Sequence, residues 1–129
     1  MASDIRIIPV REFYRTDATG KFDKASTRRA LQEIAAACVA RANHYVLIDT
    51  RQADGTALSA ADVFELATGL EELGFKRPFK IAIVNQPKDD FDRAAFFEDC
   101  ATNRGFPTKA FRDFEAAVMW LSAGEPAKP

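Results

Sequence analysis

Two short apolar runs rich in β-branched residues, Tyr45 to Ile48 (YVLI) and Lys80 to Val84 (KIAIV), constrain the fold of this chain more than any other feature. Asn43 and His44 precede the first and Asp49 follows it, while Asn85, Gln86 and Pro87 close the second. Runs this short do not make helices of their own, and a run without alternation has no solvent face. Each therefore reads as a strand buried on both faces of a sheet. Such strands need helices to cover them, and the segments around them are patterned as helices.

Lys24 to Ala42 contains no proline or glycine, and Asp23 stands where its carboxylate can accept from the free amides of the first turn. Leu31, Ile34, Ala35, Cys38, Val39 and Ala42 recur at three- and four-residue spacing, while Arg28, Arg29, Gln32, Glu33 and Arg41 take the other faces. Ser59 opens a second helix with Asp62 in an approximate capping box, Val63, Leu66, Ala67, Leu70 and Leu73 as the inner stripe, and Gly74 as a left-handed stop. Asp89 or Asp90 caps a third, ending near Arg104 with Gly105 as its stop and Ala94, Phe97, Cys100 and Ala101 on one face. Pro107 to Phe111 reads as a short strand, and Asp113 caps a last helix, Phe114 to Ala123, with Ala117, Trp120 and Leu121 inward. Residues 4 to 18 are edge-strand material, because Pro9 lacks a ladder donor; the pattern leaves open one bent strand or a tight pair.

This alternation predicts an α/β fold: a single domain over residues 1–124, with a mainly parallel sheet of four to five strands, four covering helices and right-handed crossovers. Residues 125–129 (EPAKP) read as a flexible tail. A net charge of -1 gives no electrostatic footprint for nucleic acid. The first ten residues lack the basic and apolar regions of a signal peptide, and no apolar run approaches the roughly 20 residues of a membrane span. A cytoplasmic protein without stable membrane insertion is expected, and Cys38 and Cys100, at apolar helix positions, are expected as buried free thiols.

From about Phe13 to Leu121 the chain resembles the STAS domains, in particular the SpoIIAA-like group of small bacterial proteins related to anti-sigma-factor antagonists and similar in fold to lipid-binding CRAL-TRIO domains. The resemblance is carried by Thr19-Gly20-Lys21-Phe22 before the first helix, VLID at 46–49, IAIV at 81–84, NRGF at 103–106, and Phe111 with FEAAVMWL at 114–121. It implies a non-enzymatic signalling module that acts through an as yet unidentified regulatory protein. In signalling STAS domains, a serine in an Asp-Ser-Ser-Gly-like turn at the start of the second helix is phosphorylated by a partner kinase. The matching stretch here is Thr56-Ala57-Leu58-Ser59-Ala60, which has neither the aspartate nor the glycine, so Ser59 alone is carried over by position.

Ser59, with Thr56 beside it, is therefore the candidate phosphorylation or switch site; the competing reading of Ser59 is a helix cap and nothing more. Ligands of open α/β sheets sit beyond the carboxyl ends of the strands, which here selects Asp49, Arg51 and Asp54, then Asn85, Gln86 and Lys88, then Arg112 and Asp113. These form a candidate partner or ligand loop in which Arg51, Lys88 and Arg112 could together receive a small anion. An internal lipid pocket built from some of the eleven phenylalanines is a further reading, against which a core needs the same residues. Phe91, Phe96 or an edge strand would serve a homodimer. The single histidine, His44, is expected at the amino end of its strand, away from these loops, and no spacing of His, Cys, Asp or Glu suggests a metal site or a cofactor.

Overall fold

The computed structural model describes residues 3–9, 13–40, 44–76, 79–85 and 92–123. Arg41, Ala42, Gln86, Lys88, Asp89, Asp90, Phe91 and the tail from 125 lie outside the described residues.

The stretch before the first helix forms two strands, β1 (Asp4–Pro9) and β2 (Tyr14–Lys21), paired antiparallel from Asp4 opposite Thr19 to Pro9 opposite Tyr14. This settles the alternatives left open by the sequence, and Pro9 lies at the end of an edge strand, where a missing donor is tolerated. Helix α1 (Lys24–Ala40) begins as expected at Asp23, whose carboxylate accepts from the Ser26 N–H at 2.9 Å. The Ser26 hydroxyl in turn accepts from the Asp23 N–H at 2.9 Å, so the chain enters the helix through a reciprocal pair of bonds. Leu31, Ile34, Ala35 and Cys38 are buried along it, but Val39 is 44% exposed. One residue beyond Cys38, Val39 is turned about 100° around the helix and leaves the stripe.

The apolar run at 45–48 is only the first part of β3 (Tyr45–Asp54), which is longer than the sequence suggests. A shift in register between Asp17 and Thr19 lets β2 continue alongside it, pairing Thr19 with Gln52 and Lys21 with Asp54. The second helix is likewise divided. Gly69 ends α2 (Ala60–Thr68), and a short α3 (Leu70–Leu73) follows, so the described residues hold five helices rather than four. Strand β4 (Lys80–Val84), α4 (Asp92–Asn103), β5 (Thr108–Phe111) and α5 (Phe114–Ala123) complete the order.

The five strands lie side by side in chain order, β1-β2-β3-β4-β5, all neighbours parallel except the first pair. Three successive parallel crossovers step in one direction, and crossovers of one hand, as such connections almost always are, deliver their helices to one face. The apolar clusters show this division. Residues of α1, α2 and α4 pack with Tyr14, Val46, Ile81 and Ile83 on one side, while Ala117 and Leu121 of α5 pack with Phe13, Leu47, Ala82 and Val84 on the other.

Gly74 closes α3 at φ +116°, a conformation that side chains with a Cβ rarely adopt, and a Cβ there would lie 3.3 Å from that of Ala35 on α1. Gly74→Ala is expected to lower stability by about 1–2 kcal/mol, read as a lower midpoint in urea unfolding. Both cysteines are free and buried, and burial pushes the Cys38 thiol up to about 12, which leaves it protonated and unreactive at neutral pH.

Candidate functional site

Asp49 and Arg51 are brought together, though on β3 itself and not in a loop. Desolvation works to raise the Asp49 carboxyl, yet it ends below its ordinary value because Arg51 bonds to it and the positive charges of Arg51 and Arg15 face it. The Arg51 N–H, Nε and Nη2 all donate to that carboxylate, at 3.0, 2.9 and 2.7 Å. Arg15 on β2 reaches the same carboxylate at 3.6 Å and donates to Asp17 at 2.8 Å. Both guanidinium groups lie over the ring of Phe114, the first residue of α5, at 4.8 and 5.1 Å from its centre. Arg15, Asp17 and Phe114 were not expected here. Their signal in the sequence was the period-2 alternation of β2, which puts Arg15 and Asp17 on the same face as Phe13.

Two arginines against two aspartates leave this group locally balanced, so Arg51 is engaged in an internal network. Arg112 is exposed just ahead of α5, whose first turn is capped by Asp113 accepting from the Ala116 N–H at 3.2 Å. Lys88 lies outside the described residues. The strand order never reverses, so the sheet lacks the switch point at which doubly wound sheets open a ligand crevice.

A second group forms on the connection to α2. The Asp54 carboxylate accepts from the Thr56 hydroxyl at 2.7 Å and from the Thr56 N–H at 2.9 Å, and these bonds hold the Asp54 carboxyl below its ordinary value. The Leu58 N–H donates to the Gly55 carbonyl at 3.0 Å, so the turn is closed by the backbone as well. Ser59 caps α2: its hydroxyl accepts from the Asp62 N–H at 3.0 Å and the Asp62 carboxylate accepts from the Ser59 N–H at 3.1 Å. Thr56, Ser59 and Glu65 are exposed, and Phe64 on the outer face of α2 is 47% exposed. Lys24 of α1 pairs with Glu65 beside it. Phe64 carries no signal in the sequence beyond its place between the inward Val63 and Leu66.

Asn85 belongs to neither group. It is buried on the opposite face from the Asp49 network, where it lines a cavity of about 160 Å³ between the sheet and helices α1, α2 and α4. His44 lies at the amino end of β3, edge-on to Phe79 with ring centres 5.3 Å apart. Among the described residues no group of three or more His, Cys, Asp or Glu side chains could hold a metal ion, and no helix is long and apolar enough to cross a membrane.

No protein-family model and no curated protein matches the sequence. In fold the chain is similar to an anti-sigma factor antagonist from Mycobacterium paratuberculosis, with a TM-score of 0.63 at 15% identity over 94% of this chain and 95% of that one. It is also similar to an uncharacterised protein with a SpoIIAA-like fold from Shewanella loihica, with a TM-score of 0.57 at 22% identity over 92% and 93% of the two chains. The chain has the SpoIIAA-like fold that its strand and helix motifs suggested.

Proposed function

We propose that this chain is a non-enzymatic regulatory module that works by docking a protein partner on the Asp54–Ser59 turn and the outer face of α2. The observation that carries the reading is the exposed Phe64 on α2, the helix whose amino end is the ordered, exposed capping box at Ser59. A large exposed aromatic beside a rigid polar turn is the composition expected of a docking patch, with an apolar anchor and hydrogen-bonding groups at its rim. The shared fold of an anti-sigma factor antagonist supports a regulatory role of the same kind.

Ser59 is the switch in this reading. A phosphate on its hydroxyl would sit at the free amides of the α2 amino end, which favours it, and next to the Asp62 carboxylate, which does not. Phosphorylation thus replaces the reciprocal cap by a charged group at the amino end of the helix that carries Phe64, and changes the patch without removing the helix.

Ser59→Ala is expected to lower stability by about 1 kcal/mol while the fold persists. Affinity capture from the native cells, with the wild type against Phe64→Asp and Ser59→Asp, is expected to give a stoichiometric partner that both variants lose. Fragment mass spectrometry of peptides from the native protein is expected to find phosphate on Ser59. Partner capture unchanged by Phe64→Asp would remove the docking reading; an unmodified Ser59, with Ser59→Asp affecting only stability, would leave it a helix cap.

A further inference from the structure

We propose that the cavity between the sheet and helices α1, α2 and α4 binds a small, largely apolar molecule that carries a hydroxyl group. At about 160 Å³ it has the capacity of a site for a benzene-sized body. Leu31, Ile48, Leu66, Ile83 and Phe97 supply apolar walls from α1, β3, α2, β4 and α4. A cavity with only such walls would be dry and indifferent to polar groups.

This one is not indifferent. Thr16 of β2 is fully buried and Asn85, at the end of β4, is 8% exposed, and both line the cavity. Thr16 Oγ1 and Asn85 Oδ1 find no hydrogen-bond partner among the described residues, and neither does Oγ1 of Thr27, which lines the cavity from α1. Thr50 on the same wall shows the contrast, since its hydroxyl donates to the Val84 carbonyl at 2.7 Å. Three separate elements thus present unanswered polar atoms to one apolar space, and buried polar groups are ordinarily paired.

The chemistry of those atoms specifies the ligand. An amide oxygen needs a donor, and a threonine hydroxyl takes either role, so a ligand hydroxyl can answer any of the three. Among the described lining residues Arg93, half-buried beside Gly55, is the one that carries a charge, and the apolar walls around Thr16, Thr27 and Asn85 offer no counter-ion, so the ligand is neutral where it meets them. Gly55 and Leu58 also line the cavity, which places its rim against the turn that leads to Ser59.

The test compares benzyl alcohol with toluene, which has the ring and lacks the hydroxyl. Binding is followed by NMR through the methyl signals of Leu31, Leu66 and Ile83. Toluene leaves water more readily, so a merely apolar cavity binds toluene more tightly. The expected result is the reverse: benzyl alcohol shifts these methyl signals and binds at least about tenfold more tightly than toluene, a factor that corresponds to ~1.4 kcal/mol. In the Thr16→Val, Asn85→Leu double variant the order is expected to invert. Toluene binding as tightly as benzyl alcohol in the wild type, or neither probe moving these signals, overturns the proposal, as does an unchanged preference in the folded variant. If the double variant does not fold, the wild-type comparison decides.

Discussion

Phe79→Ala is expected to cost about 3–5 kcal/mol of stability. Phe79 is fully buried just ahead of β4, with Phe75 edge-on at 5.0 Å between ring centres and His44 edge-on at 5.3 Å. Removing the ring opens a void between Phe75 and His44, which are held by two different backbone segments and cannot both collapse into it. Phe79→Leu retains most of the volume and is expected to cost under about 1.5 kcal/mol. Urea unfolding of the two variants checks this, and equal losses from both would mean that the edge-on contacts, and not the volume, carry the effect.

The second large effect is at Asp49. Asp49→Ala takes away the acceptor of three Arg51 bonds and leaves the Arg15 and Arg51 guanidinium groups sharing one aromatic face. Removing one partner of a fully buried pair costs about 3–5 kcal/mol, but the two arginine side chains are 33% and 37% exposed, so water offsets part of it. The expected loss is about 2 kcal/mol. The charge also gives a pH dependence. Asp49 has a folded-state value below its ordinary one, so its contribution is present above the unfolded-state value and disappears as pH falls through the lower folded value. The stability of the wild type should therefore fall below about pH 4, and the fall should be shallower in Asp49→Asn. Asp23 and Asp54 are depressed as well and keep the remaining slope. An acid limb of the same steepness in Asp49→Asn would show that the network does not couple to folding.

The parts of the fold that depend on side-chain burial were legible in the sequence. KIAIV marked β4 at both ends, Asp23 and Ser59 marked the starts of α1 and α2, and Gly74 marked a left-handed stop. The parts that depend on backbone pairing were not. Thr50 to Asp54 carry no apolar run, and they extend β3 because β2 offers hydrogen bonds beside them after its register shift. The same limit applies to the site. Ser59 could be placed from its cap, whereas the Asp49 network needed a partner strand and the ring of α5, and the cavity needed three helices seated over one face. Asp49 and Asn85 follow similar apolar runs, yet they point to opposite faces, a distinction that rests on the register between strands.

The sequential order of the strands has a kinetic consequence. Each strand pairs with the one just before it in the chain, so no pairing waits for a distant segment to be synthesised, and the loops to be closed stay short. Slow folding comes from contacts between residues far apart in sequence, and in this sheet no strand pairs beyond its neighbours in the chain. It can grow by one strand and one crossover helix at a time as the chain leaves the ribosome, starting from the β1–β2 hairpin. The exception is α5, which is made after all five strands yet covers Leu47 and Val84, so the growing sheet exposes one apolar face until that helix arrives.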